Sequence, residues 1–136
     1  MPENAGVVDA GVVLTRLDRR RRSHHEVLTL FHRSARDRIG LHISVVNLAE
    51  VLQHSQRYTA VTGVDPIHVL HASGIAIHRP DVDVAKSAAL LGSLGDVSLA
   101  DRFALATASV LGARLHTTDR VLADWARRRR IPVTVY

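Results

Sequence analysis

Short apolar runs of four or five residues alternate along this chain with longer stretches in which apolar positions return every three or four residues. The first pattern predicts buried strands and the second amphipathic helices. "GVVDA" from Gly6 reads as a strand, and "GVVLTRL" then begins a helix. Ser23 opens a second helix through the capping-box pattern "SHHE", which buries Val27, Leu30 and Phe31 and is ended by Gly40. "LHIS" is the next strand. Ser44 caps a helix carrying "VVNLAEVL", and "DPIHVLHASG" is a helix with Asp65 as N-cap, Pro66 in the first position and Gly74 as stop. "IAIH" is a third strand. "DVAKSAALLGSLG" and "SLADRFALATASVLG" read as helices, "ARLHT" as a fourth strand, "DRVLADWARRRR" as the last helix and "VTVY" as a terminal strand.

Strands alternating with helices specify an α/β fold, a three-layer α/β/α arrangement around a mainly parallel sheet of about five strands. The length, 136 residues, and the 46% hydrophobic content suit one core and predict a single domain over 1–136. There is no cysteine, which removes disulfides and thiolate chemistry and agrees with a reducing compartment. The start "MPENAGVV" lacks a basic signal region, and no apolar run reaches the roughly 18 residues of a membrane span. A cytoplasmic protein is expected.

The net charge is +5, and Lys86 is the one basic residue of eighteen that is not arginine. Base composition alone can produce that bias. The arginines nevertheless bunch at Arg19, Arg20, Arg21 and Arg22 and again at Arg127, Arg128, Arg129 and Arg130, which favours a polyanionic partner such as RNA over solvated charge.

Four acids stand in places that ask for an explanation. Asp9 ends the first predicted strand inside a run of valines, Asp119 follows the fourth, and ligands of parallel sheets gather at the carboxyl ends of strands. Glu50 lies on a helix apolar on nearly every side, and Asp101 shares a helical row with Ala104, Leu105 and Ala108. Each has a structural explanation: Asp9 and Asp119 as caps, Asp101 as third-position acid of "SLAD", Glu50 reaching solvent from an edge. Together, in a basic chain, they point to a metal site. Two like charges about 4 Å apart repel by roughly 4 kcal/mol at an effective dielectric of about 20, and a hard cation, Mg²⁺ or Mn²⁺, relieves that repulsion with oxygen ligands. Asp96 is a possible substitute ligand, although a loop role after Gly95 explains it as well. No "HExxH" or phosphate-cradling "GxxxxGK[ST]" occurs, which disfavours a zinc hydrolase and a nucleoside-triphosphate enzyme, and the nine histidines are served by surface and core roles.

The ordered set "VVDAGVVL", "SVVNLAEVL", "SLADRFALATA" and "LHTTDRVL" resembles the PIN domain family, and within it the small VapC-like toxins of toxin–antitoxin pairs, over essentially the whole chain. The resemblance implies a metal-dependent endoribonuclease that hydrolyses RNA phosphodiesters by in-line attack of water, leaving a 5′-phosphate. It carries the catalytic acids onto Asp9, Glu50, Asp101 and Asp119, with Asp9 and Asp101 as main metal ligands. Glu50 would bind metal or orient water, Asp119 would hold a second ion, and Thr118 would stand beside the site. It further implies a VapB-like antitoxin and a homodimer. Many relatives carry a small hydroxyl or amide residue where this chain has Gly11, which bears on a supporting hydrogen bond. The rival reading is a PIN-like module that binds RNA or protein without cleavage.

Overall fold

The computed structural model describes residues 4–91, 95 and 97–136. Its strands are β1 (Ala5–Val8), β2 (Gly40–Ser44), β3 (Ala76–His78), β4 (Arg114–Thr117) and β5 (Val133–Val135). The helices are α1 (Ala10–Leu17), α2 (His24–Ala35), α3 (Val45–His54), α4 (Gln56–Thr62), α5 (Pro66–Ala72), α6 (Val82–Leu90), α7 (Leu99–Leu111) and α8 (Arg120–Arg128). The strands form one parallel sheet in the order β3-β2-β1-β4-β5. The chain winds outward from β1 through β2 to β3, then returns to the other side of β1 with β4. β1 and β4 are therefore neighbours at the point where the winding reverses, the place where a doubly wound sheet opens a crevice beyond its carboxyl edge.

Alternation along the strands feeds two cores. Val7 and Leu115 join Val84, Ala104, Leu105, Leu122 and Ala126 of α6, α7 and α8, whereas Val8, Leu41 and Ile43 join Val12, Phe31, Val51 and Leu70 of α1, α2, α3 and α5. A sheet apolar on both faces and covered by helices on both is the three-layer α/β fold that the pattern predicts. No helix among the described residues is long and apolar enough to cross a membrane.

Three local expectations differ from the structure. Ser23 precedes α2 but its side chain makes no capping bond, because the turn from Arg21 to His24 sets Ser23 at ψ 17° instead of the extended geometry a capping side chain needs. Gly40 does not end α2; it starts β2 opposite Ala5, and the chain reverses earlier, through Asp37 at φ 55°. α4 has no buried residue and so lacks the apolar stripe by which a helix announces itself. The predicted continuation of α6 through Gly92, Ser93 and Leu94 lies outside the described residues.

Candidate active site

β1 ends at Val8, and the following residue, Asp9, is both the N-cap of α1 and a buried acid, 3% exposed. Its Oδ1 accepts the Val12 N–H at 2.9 Å, and its Oδ2 accepts the hydroxyl of Thr117. The Thr118 backbone N–H also lies within its hydrogen-bonding reach. Burial nevertheless dominates and pushes the Asp9 carboxyl up to about 6, with the nearby Asp101 adding to the rise against the donors that lower it.

Asp119 stands at the matching place after β4, as N-cap of α8, accepting from Val121 N–H at 2.8 Å and Leu122 N–H at 3.2 Å. Asp101 is in the first turn of α7, where its own N–H donates to Ser98 Oγ at 3.2 Å. Partial burial raises the Asp101 carboxyl, and Asp119 and Glu50 raise it further. Glu50 projects from α3, whose buried Asn47 ties it to α7 by donating from Nδ2 to the Ala100 carbonyl at 3.0 Å.

The four acids line one open cavity of about 440 Å³, together with Ala10, Gly11, Leu14, Arg21, His54 and Thr118. Capping and site-lining thus coexist in Asp9 and Asp119: one carboxylate oxygen satisfies helix N–H groups and holds the side chain, while the residue borders the cavity. Among the described residues no three of His, Asp and Glu close into a ready-made ligand cluster. Asp96 lies outside the described residues.

Thr118 borders the cavity, but the hydroxyl that organises it is that of Thr117, which is fully buried. Thr117 Oγ1 donates to Asp9 and accepts the Asp119 N–H at 2.9 Å, so a single hydroxyl joins the ends of β1 and β4. Sequence reasoning missed it, although the strand period that buries Leu115 also turns Thr117 inward. His54 was missed too, although it stands four residues after Glu50 and so on the same helical face. Of the two arginine runs, Arg21 alone reaches this cavity. Arg20 pairs with Asp18 at 3.1 Å, and Arg127 to Arg130 gather at the far end of α8, where Arg127 pairs with Asp124 and Arg128 covers the ring of Trp125.

A PIN domain model matches residues 6–128. Solved structures share the fold at low identity. A VapBC2 complex from Rickettsia felis bound to a promoter DNA fragment matches with TM-score 0.69 and 14% identity over 97% of this chain and 98% of that one. VapC20 of Mycobacterium tuberculosis, a sarcin–ricin loop cleaving toxin, matches with TM-score 0.69 and 15% identity over 88% and 94%. A toxin–antitoxin complex from Klebsiella pneumoniae matches with TM-score 0.61 and 21% identity over 84% and 86%. No curated protein matches the sequence. With a family match that runs from the first strand to the end of α8, this chain belongs to the PIN domain family.

Proposed function

We propose that this protein is a divalent-metal-dependent endoribonuclease acting as the VapC-like toxin of a toxin–antitoxin pair. The observation that carries the reading is the convergence of Asp9, Glu50, Asp101 and Asp119 on one cavity at the reversal point of the sheet, with Asp9 buried and its carboxyl raised to about 6. An open cavity holding that many acids suits a hard cation in donor chemistry, since every candidate ligand is a carboxylate oxygen. Asp9 and Asp101 would hold Mg²⁺ or Mn²⁺, with Glu50 and Asp119 completing the set. Bound there, the metal would neutralise phosphate charge and lower the pKa of a coordinated water.

The chain's own residues do the rest. Thr117 and the Val12 N–H fix the orientation of Asp9. Asn47 ties α3, the helix that carries Glu50, to the first turn of α7, and Glu50 would orient a water or take its proton. Arg21 supplies positive charge at the rim, where a polyanion approaching four carboxylates needs it. The reading includes a single PIN domain, a cytoplasmic setting, a homodimer and a VapB-like antitoxin whose arginine could pair bidentately with these acids. Solved relatives are toxin–antitoxin complexes, which supports that partner.

The test is cleavage of a mixed RNA pool with Mg²⁺ or Mn²⁺, with chelator and with Asp101→Asn. Metal-dependent cleavage lost in the variant is expected. Intact RNA with a folded, metal-supplied wild type would leave a non-catalytic binding module instead.

A further inference from the structure

A second groove, about 340 Å³, opens beside the acid cavity and shares Leu14, Arg21 and His54 with it, so the two form one continuous cleft. Its volume falls in the range of ligand sites, about 300 to 1,000 Å³. Beyond the shared residues it is lined by Leu17, Arg20, Arg57, Tyr58 and Val61, with Asp18 its one acid. Three of these come from α4, the helix that buries nothing in either core. Val61 is 82% exposed and Tyr58 is half-buried with its side chain on the groove, so packing gives no account of why these side chains stand there.

We propose that this groove is a nucleotide subsite for single-stranded RNA, with a base stacked on Tyr58 and the adjoining phosphates held by Arg57, Arg20 and Arg21. The inference rests on the ribonuclease reading and extends it from the acids to the strand leaving them. An aromatic ring flanked by arginines is the minimal platform for an unpaired base and its backbone, because stacking tolerates any base and the guanidinium groups answer the phosphates. Arg57 has no ion-pair partner among the described residues, and Arg20 and Arg21 share the single carboxylate of Asp18, which leaves a surplus of positive charge in the groove. The apolar members Leu14, Leu17 and Val61 would suit a protein segment as well, but three arginines against one acid favour a polyanion. Continuity matters most. A strand whose phosphate lies at the acids has a path along Arg21 and His54, and the cleft leads it to Tyr58.

The experiment measures binding by fluorescence anisotropy of a short mixed-sequence single-stranded RNA to the protein carrying Asp101→Asn, so that the RNA stays intact. In that background Tyr58→Ala should weaken binding by about 5- to 150-fold, the range of one lost base stack, and Tyr58→Phe should keep it. An RNA backbone without bases should bind the parent and Tyr58→Ala equally weakly. Because α4 buries no side chain, the folding transition of Tyr58→Ala should stay close to that of its parent. Equal affinity of Tyr58→Ala and its parent overturns the subsite, as does equal loss in Tyr58→Phe. If Tyr58→Ala instead releases a co-purifying antitoxin while RNA affinity is untouched, the groove belongs to a protein. None of these outcomes touches the ribonuclease reading, which stands or falls on metal-dependent cleavage by the wild type.

Discussion

The hydroxyl of Thr117 donates to Asp9 Oδ2 across the boundary between two adjacent parallel strands, and the same oxygen accepts the Asp119 N–H. A fully buried hydroxyl thus couples the acid after β1 to the acid after β4. Thr117→Val keeps the shape and removes both bonds, leaving a buried carboxylate and a backbone N–H short of a partner. The expected cost is about 1 to 3 kcal/mol in denaturant unfolding. Since the Thr117 bond holds the Asp9 carboxyl down against burial, its loss should also move the acid limb of the cleavage pH profile to higher pH. Thr117→Ser should restore both. A destabilised variant with an unmoved pH profile would reduce Thr117 to a packing residue.

Two buried groups titrate with opposite sign in the same acid range. The Asp9 carboxyl is raised from 3.8 to about 6 in the fold, mainly by burial. In the metal-free protein its contribution is therefore fully favourable below the unfolded value and is lost as pH rises through about 6, by up to about 3 kcal/mol. His116, whose Nδ1 meets the Tyr136 hydroxyl at 2.8 Å, is lowered from 6.5 to about 4 by burial and by Arg114 and Arg33. Its contribution is present above 6.5 and is lost as pH falls toward 4, by a similar amount. The two partly offset each other. Urea unfolding at about pH 7 and about pH 4.5, on either side of most of both transitions, should show Asp9→Asn losing more stability on acidification than wild type, and His116→Gln losing less. Asp9→Asn should also be the more stable metal-free protein near neutral pH and should lose the stabilisation that Mn²⁺ gives the wild type. Parallel pH responses in all three proteins would contradict both assignments.

Asn47 gives a third prediction. Its Nδ2 bond to the Ala100 carbonyl is a side-chain link between the helix of Glu50 and the first turn that carries Asp101. Asn47→Leu should cost about 0.5 to 1.5 kcal/mol through the lost bond to the part-buried Ala100 carbonyl, and it should weaken Mn²⁺ binding measured by calorimetry, because Glu50 and Asp101 lose a tie between their helices. Unchanged metal affinity would confine Asn47 to stability.

Much of this architecture was legible because local patterns agree with the tertiary outcome. The valines around Asp9, the "DP" start of α5 and the left-handed Gly74 after it each announce their element, and the acids at the ends of β1 and β4 follow from the parallel sheet. What stayed hidden depends on contacts distant in sequence. Thr117 reaches Asp9 over 108 positions and Asn47 reaches Ala100 over 53, and no periodicity records either. α4 was hidden for the opposite reason, since it buries nothing and leaves no apolar stripe. The structural and functional explanations of Asp9 and Asp119 were posed as rivals, yet each residue both caps its helix and borders the cavity.

Gly11 stands where the resemblance leads one to expect a small hydroxyl or amide residue, and the structure sets it against Thr118. A Cβ on Gly11 would collide with Thr118 Oγ1, so the hydroxyl of the β4–α8 turn occupies the space that a side chain at position 11 would take. Glycine inside a helix ordinarily costs about 0.5 to 1 kcal/mol relative to alanine. By that propensity alone Gly11→Ala would stabilise α1; in the wild type the gain should be cancelled, because Thr118 must rotate away from its place at the cavity. Thr118→Ala removes the obstacle. In that background Gly11→Ala should become stabilising, and the double-mutant cycle should show a coupling on the order of 1 kcal/mol, above the roughly 0.3 to 0.5 kcal/mol scatter of independent sites. Gly11→Ser combined with Thr118→Ala returns a hydroxyl to about the space that Thr118 Oγ1 leaves, and cleavage by that double variant should exceed cleavage by Thr118→Ala alone. Additive stabilities in the cycle would mean that Thr118 yields freely, and that Gly11 is not held by its neighbour.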